Sequence, residues 1–294
     1  MSTSSLEEFT RAVGPEGPVT VTGAGTRGGP VPGVRSVTAP AGISWIEPEE
    51  MTACCGAATP VDELVAALAP HGQTVPLPAG GTVGGALSVG ASAVRRLGDG
   101  PVRDAVLQLR YVSAAGELVK AGGPTVKNVS GFDLCRLLVG SSGTLGFLGD
   151  VILRTRPLPR SSQWYVGDRD PWELLGSLYR PTSVLWNGVR TWVLLEGAST
   201  DRAAEARRHG LVPSEGPVAL PTGGRWSLPP SALTTLRDAE PGSFVAEIGV
   251  GIVHRHDAPP PAEPPAAVVA LHRRLKQAFD PSDRLNPGRS ALDR

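Results

Sequence analysis

The stretch LLVGSSGTLGFL, residues 137–148, is apolar enough to be a buried element, yet glycine interrupts it at positions 140, 143 and 146. Glycine inside a helix or strand costs about 0.5–1 kcal/mol relative to alanine. Three glycines at this spacing therefore indicate that the backbone turns sharply or that something approaches it closely.

A second glycine-rich segment, Gly23–Gly28 (GAGTRG), follows the predicted strand Pro18–Thr22. It matches G-x-G-x-x-G, and Glu47 lies about twenty residues further on, as the dinucleotide fingerprint requires. That fingerprint also needs a helix opening at its third glycine. The sequence GPVPG at 29–33 cannot form one, so a nicotinamide-binding Rossmann domain is disfavoured. Taken alone, the segment is a phosphate-binding nest of backbone N–H groups or, more simply, a tight turn.

A third such segment, PAGGTVGGALSVG at residues 78–90, carries more glycine than one turn requires. It predicts a loop whose backbone lies against a flat or extended ligand. The alternative is a flexible linker, but Val83, Leu87 and Val89 favour an ordered loop. Three glycine-rich segments in one domain are hard to explain as turns alone.

Composition restricts the function classes. The 294 residues carry 28 basic and 28 acidic side chains, which argues against bulk attraction to nucleic acid or to an anionic membrane surface. Three cysteines without a C-x-x-C spacing predict neither a disulfide framework nor an iron–sulfur or zinc site. We expect no metal, no nucleic-acid partner, no direct membrane insertion and a cytoplasmic location, with any membrane association made through partners.

The pattern of elements divides the chain into three parts. A helix is predicted after Thr59, with Thr59 as its N-cap and Pro60 as its first helical residue. From Pro157 the composition changes, and a strand is expected around 244–253. The last helix, 266–279, follows a proline-rich linker. We predict domains at 1–158, 159–265 and 266–294.

Four segments in the same order resemble the FAD-binding domain of the vanillyl-alcohol oxidase / p-cresol methylhydroxylase (PCMH-type) superfamily. They are the loop at 23–28, TVGG at 82–85, the run KNVSGFDL at 127–134 with GSSGTLG at 140–146, and the tail LKQAFDP at 275–281 with LNPGR at 285–289. Within the superfamily the chain is most similar to FAD-binding subunits of glycolate oxidases, which share VRD at 102–104 and VKNV at 126–129.

The resemblance implies an α+β fold, with two α+β subdomains holding FAD and a smaller α+β cap domain. The tail returns to the FAD domain. It implies cofactor-binding roles for Gly23, Ala24, Gly25, Thr26, Arg27, Gly28, Thr82, Val83, Gly84, Gly85, Ser88, Gly90, Ser92, Asp104, Gly140, Ser141, Gly143, Thr144, Leu145, Gly146 and Asn286. Some members attach FAD through a histidine in the first loop. Residues 23–29 contain none, so FAD is expected to be non-covalent.

The resemblance also implies an oxidoreductase subunit that oxidises a small 2-hydroxy acid, or relays its electrons, beside a larger flavin subunit and an iron–sulfur subunit. Such oxidation needs a base for the hydroxyl proton and a cation for the carboxylate. His254 is the candidate catalytic residue, because it matches the last histidine of the family's H-x-G-D-G-N-x-H motif. The alternative is a strand-end histidine bonded to the backbone.

Arg190 and Arg225 are possible carboxylate partners. The first histidine, the aspartate and the asparagine of the H-x-G-D-G-N-x-H motif are missing. Two alternatives therefore stay open: a flavin-binding structural subunit without turnover, and a stand-alone FAD-linked oxidase of another alcohol.

Overall fold

The computed structural model describes residues 3–124, 133–258 and 264–292. The eight helices of these residues are α1 Thr3–Val13, α2 Val61–Leu68, α3 Val83–Val89, α4 Arg96–Asp99, α5 Leu134–Leu138, α6 Pro171–Ser177, α7 Ser199–Arg208 and α8 Ala266–Phe279. Short 3₁₀ helices cover Ala69–His71, Val102–Ala105 and Pro230–Asp238. The motif at 127–132 lies outside the described residues.

The sixteen strands of the described residues are β1 Val19–Thr22, β2 Arg35–Thr38, β3 Ile43–Glu47, β4 Thr52–Gly56, β5 Gln73–Thr74, β6 Val106–Val112, β7 Leu118–Gly122, β8 Phe147–Arg154, β9 Arg156–Pro157, β10 Ser162–Gly167, β11 Ser183–Trp186, β12 Thr191–Glu196, β13 Val212–Ser214, β14 Gly224–Ser227, β15 Phe244–Glu247 and β16 Ile252–Arg255. Helices and strands mix throughout the chain, and the predicted α+β class is confirmed.

Backbone contacts divide the chain into two units. Unit 1 comprises Met1–Ala93, Pro101–Leu158 and Pro264–Arg294, and unit 2 comprises Val94–Gly100 and Pro159–Glu263. The short segment 94–100 belongs to unit 2 although it lies inside the sequence of unit 1.

Unit 1 is built on an antiparallel sheet of five strands in the order β3-β4-β8-β6-β7. All of β4 and the first seven residues of β8 are buried, as expected for central strands. Helices α1, α2, α3 and α5 contribute Leu6, Leu64, Leu87 and Leu138 to the same core. The pair β1-β2 is parallel, and residues 23–34 connect its two strands.

The tail of the chain is fixed to unit 1 by buried polar contacts. Arg284, 4 % exposed, donates to the carbonyls of Val13, Glu16, Gly17 and Ala114 at 2.9–3.0 Å. Burial lowers the pKa of this guanidinium, and Asp280 acts in the opposite direction. Residue 284 was not singled out from the sequence, because nothing local marks an arginine that binds four distant carbonyls.

Unit 2 contains an antiparallel sheet of seven strands in the order β13-β10-β12-β11-β15-β16-β14. One face packs against Leu174 of α6, Ala206 of α7 and Leu233 of the third 3₁₀ helix. Side chains alternate across a strand, so the residues flanking this packed set point to the opposite face. That face carries Glu247, His254 and Arg225.

Two local predictions were wrong. Residues 244–253 form not one strand but the hairpin β15–β16, because Gly249 and Gly251 adopt positive φ of 81° and 90° and turn the chain. Thr59 does not cap α2. Its hydroxyl instead bonds to Gly42, accepting from the N–H at 2.9 Å and donating to the carbonyl at 3.1 Å.

Candidate functional site

A cleft in unit 1 brings the three glycine-rich segments together. Its empty space, including the part open to solvent, is about 790 Å³, within the range of ligand-binding clefts. Most of residues 21–29 line it, together with one side of α3, Ser142, Phe147 and the tail residues Asn286 and Arg289. We call this space the first cleft.

The first glycine segment supplies a run of free backbone donors. No N–H group from Gly23 to Gly29 donates a hydrogen bond to another described residue. Gly25, Gly28 and Gly29 have φ of 72°, 105° and 58°, a left-handed backbone that glycine adopts without steric cost. N–H groups in a turn of this kind carry partial positive charge, which suits phosphate oxygens. The segment therefore fits the diphosphate of a dinucleotide.

The glycine segment at 78–90 is not a loop over its whole length, contrary to the prediction, because residues 83–89 form helix α3. Thr82 caps helix α3, and its Oγ1 accepts from the Gly85 N–H at 3.1 Å. Val83 and Gly84 donate to the carbonyls of Thr59 and Ala57. The first donors of this helix are thus used inside the protein. Gly84 is needed for packing, because a Cβ there would lie 2.8 Å from the Ala57 Cβ.

Arg27 joins the first two segments. Its guanidinium donates to the carbonyls of Gly80, Ala79 and Pro78 at 2.9, 3.1 and 3.2 Å. Burial lowers the pKa of Arg27, while the charge of Asp62 raises it. This side chain therefore holds one wall of the cleft against the other.

Two of the three glycines of the 137–148 stretch are explained by close approach of other parts of the protein, and Gly140 by its left-handed φ of 88°. The segment also crosses the end of α3, where a Cβ on Gly90 would lie 3.0 Å from the Cα of Gly140. A Cβ on Gly143 would lie 2.6 Å from Asn286 Nδ2, and one on Gly146 would lie 2.5 Å from the ring of Tyr111.

Asn286, in the tail, connects two segments of the cleft wall through its side-chain amide. It is 1 % exposed, with φ of 47°, and its amide spans two segments. Nδ2 donates to the Ser142 carbonyl at 2.8 Å, and Oδ1 accepts from Thr20 Oγ1 at 2.7 Å. The asparagine lines the cleft, but its own polar atoms are used to hold the wall.

The predicted cofactor residues fall into groups. Those that line the first cleft are Gly23, Ala24, Gly25, Thr26, Arg27, Thr82, Gly84, Gly85, Ser88 and Asn286. Gly140, Ser141, Thr144 and Leu145 instead line a second cleft beside α5 and α8. The residues that line neither are Gly28, Val83, Gly90, Ser92, Asp104, Gly143 and Gly146. Among them, Asp104 pairs with Arg103 and Arg136, and Ser92 accepts from the Val102 N–H.

Arg289 and Ser142 line the first cleft and were missed in the sequence assignment. Arg289 donates to the carbonyls of Gly28, at 3.0 Å, and Gly29. The tail motif LNPGR contained the arginine, but only the tertiary fold shows that it reaches the first loop.

In unit 2, the candidate catalytic residue His254 bonds to a side chain rather than to the backbone. Its Nε2 lies 2.8 Å from Oε1 of the buried Glu247. Arg225 is the register partner of His254 across β14 and β16, whereas Arg190 lies at another turn and pairs with Asp168 at 3.6 Å. Within the described ranges there is no group of three metal-ligating side chains and no helix able to span a membrane.

Comparisons with protein families and sequences give a consistent result. Residues 8–122 match the FAD binding domain family, and residues 240–290 match the C-terminal domain of FAD linked oxidases. The glycolate oxidase subunit GlcE of Escherichia coli is 36 % identical over 170 residues, which are 55 % of this chain and 49 % of that protein. A D-lactate dehydrogenase of Archaeoglobus fulgidus is 37 % identical over 144 residues, 47 % of this chain and 32 % of that protein. The chain therefore matches half or less of the length of these relatives.

Solved structures show the same fold at low identity. An alkyldihydroxyacetonephosphate synthase superposes with a TM-score of 0.67 at 16 % identity, covering 97 % of this chain and 74 % of that one. Berberine bridge enzyme gives 0.52 at 17 % identity, covering 71 % and 48 %. The predicted resemblance to PCMH-type FAD-binding proteins, and FAD as the cofactor, are confirmed.

Proposed function

We propose that this chain binds FAD non-covalently in the first cleft and serves as the FAD-binding subunit of an oxidoreductase complex acting on a small 2-hydroxy acid. The observation that carries the proposal is the run of N–H groups at residues 23–29 that donate to no other described residue, placed where the other glycine-rich segments meet. Neutral donors of this kind bind a diphosphate without a metal ion.

Each part of the cleft has a role in holding the cofactor. The N–H groups of 23–29 bind the diphosphate, and Arg27 and Arg289 fix the loop that presents them. The small residues Ala57, Ala58 and Gly85 leave room for a flat ligand against α3. When bound, FAD supplies the two-electron redox chemistry. Residues 23–29 hold no histidine, and this favours non-covalent binding.

The proposed substrate class and partners are supported by the names of similar proteins. Proteins named glycolate oxidase subunits GlcE and GlcD, and a D-lactate dehydrogenase, share 36–39 % identity with parts of this chain. Their names favour a 2-hydroxy acid and a multi-subunit complex over a structural subunit without turnover. Under this proposal residues 1–158 and 266–294 bind FAD, and 159–265 form the cap. A larger flavin subunit and an iron–sulfur subunit are the partners, and the complex is cytoplasmic or held at a membrane by those partners.

The first test is the visible absorption spectrum of the purified chain, before and after acid precipitation. We expect a flavin spectrum whose chromophore leaves with the supernatant. Flavin in the pellet would show covalent attachment. A colourless chain that FAD does not reconstitute would refute the proposal.

A pair of variants at Ala24 tests whether the FAD diphosphate binds in the first cleft. Ala24 is exposed and lines the first cleft. Ala24→Asp puts a negative charge beside the proposed diphosphate and should abolish FAD retention, whereas the isosteric but neutral Ala24→Asn should largely keep it. Equal retention by both variants would place the diphosphate elsewhere.

A further inference from the structure

Helix α8 of unit 1 leaves most of its surface uncovered. None of its 14 residues is buried, and Val268 and Leu271 are 38 % and 52 % exposed. Phe279, its last residue, packs partly buried against the core, and Lys276 donates to the Thr144 carbonyl at 3.1 Å. An isolated helix of this length is marginal in water, because helical stability in proteins comes mostly from packing one face. A further surface is therefore expected to cover α8.

One face of α8 lines the second cleft. Val269, His272, Arg273 and Lys276 lie at the i, i+3, i+4 and i+7 spacing of a single helix face, and all four line this space. Residues within 136–145, together with the tail, line most of the rest. The space, including the part open to solvent, is about 1120 Å³. Its apolar lining includes Leu137, Val139, Leu145, Val269 and Leu275. The second cleft is therefore a concave surface that can bury apolar side chains of a ligand.

The charges around the second cleft are unbalanced. Arg136, Arg273, Lys276 and Arg289 line it, and Asp283 is the acidic residue among the described residues of its lining. Arg136 and Lys276 form ion pairs within unit 1, whereas Arg273 and Arg289 pair with no carboxylate that the structure describes. Helix α8 contains no acidic residue, although the whole chain has 28 acidic and 28 basic side chains. The cleft thus has an excess of positive charge that an acidic ligand would neutralise.

We propose that the second cleft is a docking surface for an acidic, amphipathic segment of a partner protein. The apolar side chains of the segment enter the cleft beside α8, and its carboxylates meet Arg273 and Arg289. An apolar groove along a helix, with charge opposite to that of the ligand, is a recurring way of binding amphipathic segments. The inference rests on the proposed function for the existence of a partner subunit, and does not depend on FAD binding.

Two other occupants fit these observations less well. An anionic membrane attracts the same cations, but a bilayer surface covers side chains that project from a protein and does not fill a concave cleft. A second copy of this chain, docked through the same helix, would bring two basic faces together. Like charges placed opposite each other at an interface oppose association.

The test is binding of a probe peptide to the full chain. The fluorescein-labelled peptide consists of Glu, Leu and Ala, arranged so that its helix carries Glu on one face and Leu on the other. Fluorescence anisotropy measures its Kd. We expect Arg273→Glu to raise the Kd about tenfold or more, because it places a negative charge against the Glu face.

Arg274→Glu is the matched control. Arg274 is an exposed arginine of the same helix that pairs with no described carboxylate, and it is not among the residues that line the second cleft. The substitution changes the net charge as much as Arg273→Glu does, but it should raise the Kd by about twofold or less because solvent and salt screen it. Equal weakening by the two variants would indicate general charge attraction and overturn the inference.

Two altered peptides test the chemistry of the occupant. One has Lys in place of each Glu, and the other has Ser in place of each Leu. Each should bind at least about tenfold more weakly, because one loses the charge complementarity and the other the apolar face. Absence of binding by the Glu and Leu peptide itself would also overturn the inference.

Photo-crosslinking of the chain in its own cells identifies the occupant. Val269→benzoylphenylalanine places the reactive group in the second cleft, and Val189→benzoylphenylalanine, at a residue 58 % exposed in unit 2, is the control. We expect position 269 to crosslink to a segment of another polypeptide that is rich in Asp and Glu, and position 189 not to reach that segment. Crosslinking of position 269 to lipid, to a second copy of this chain or to nothing would overturn the inference.

FAD retention separates this inference from the proposed function. Arg273 does not line the first cleft, so Arg273→Glu should retain FAD as the unaltered chain does. A chain that binds the acidic peptide through Arg273 but takes up no FAD would support the docking surface and overturn the function. A chain that binds FAD and is reduced by a 2-hydroxy acid in its complex, but binds the peptide no better than Arg273→Glu does, would overturn the docking surface and leave the function standing.

Discussion

At the residue scale, single side chains join segments that are far apart in sequence. Asn286 connects β1 with residue 142, and its left-handed φ of 47° is one that asparagine tolerates better than most residues. The side chain is buried and fully used, so its role is to build the cleft wall. A cofactor contact is not needed to explain why the tail reaches this point.

Asn286→Ala should lower the free energy of unfolding by about 2–3 kcal/mol, because it removes the acceptor of the buried Thr20 hydroxyl proton and the amide donor to the Ser142 carbonyl. Urea denaturation measures this loss. Asn187→Ala is the control, since Asn187 Oδ1 accepts from the Val189 and Arg190 N–H groups at a partly exposed turn, and it should cost under about 1 kcal/mol. Equal losses in the two variants would contradict the role of Asn286.

The cysteines give a second prediction at this scale. Burial raises the pKa of Cys55 to about 12 and that of Cys135 to about 11, and it also raises the pKa of Cys54. The direction of these shifts favours the neutral thiol at pH 8, whereas an ordinary thiol with pKa near 8.5 is about one quarter thiolate. The native chain should therefore react with a thiol reagent at least about tenfold more slowly than free cysteine. In urea all three cysteines should react at the free rate, and fast labelling of the native chain would contradict the burial of these side chains.

At the scale of elements, the first glycine segment and α3 contribute different features to the cleft. Helix α3 uses its first N–H groups on Thr59, Ala57 and its own cap, so it contributes shape and not donors. The N–H groups of the loop at 23–29 donate to no other residue that the structure describes, and three of its glycines have a left-handed backbone. An anion site made by the loop therefore needs no helix N-terminus.

Amide hydrogen exchange tests this division. Residues 23–29 should exchange fast in the free chain. FAD at one hundred times its Kd should slow their exchange by about 100-fold, because the fraction of unbound chain falls to about 1 %. The amides at 83–85, already bonded, should gain less protection. The opposite pattern, with protection centred on 83–85, would assign the diphosphate to the helix instead.

At the scale of the whole molecule, the chain forms two units that interleave in sequence. The segment 94–100 and residues 159–263 make unit 2, and the tail from 264 belongs to unit 1. The first cleft is made entirely from unit 1, and the Glu247–His254–Arg225 group lies entirely in unit 2. Each site can thus be altered without substitutions in the other.

At this scale we also predict that bound FAD stabilises the folded chain against unfolding. FAD at one hundred times its Kd should add about 2.7 kcal/mol to the free energy of unfolding. For cooperative units of this size that raises Tm by about 5–10 °C. FMN, which lacks the diphosphate and adenosine, should raise Tm far less. A shift of the same size with FMN would show that the isoalloxazine ring, and not the diphosphate nest, supplies most of the binding.

The sequence by itself determined the α+β class, strand β1, helices α2 and α8, the FAD cofactor and the segments that meet at the cleft. The class and the cofactor follow from the family resemblance carried by the order of the motifs, and the strand and helices follow from local patterns. It did not determine that residues 83–89 form a helix, or that residues 244–255 form a hairpin. In both places short apolar runs with glycine fit more than one backbone conformation.

Only the tertiary structure decided which side chains act together. Glu247 and His254 are bonded because a hairpin folds between them, and Arg225 reaches the same face through strand pairing. Arg284 and Asn286 find partners more than 140 residues away. The glycines at 143 and 146 are required by the close approach of Asn286 and Tyr111 to that segment. Such contacts are set by packing between distant segments, and no local sequence pattern encodes them.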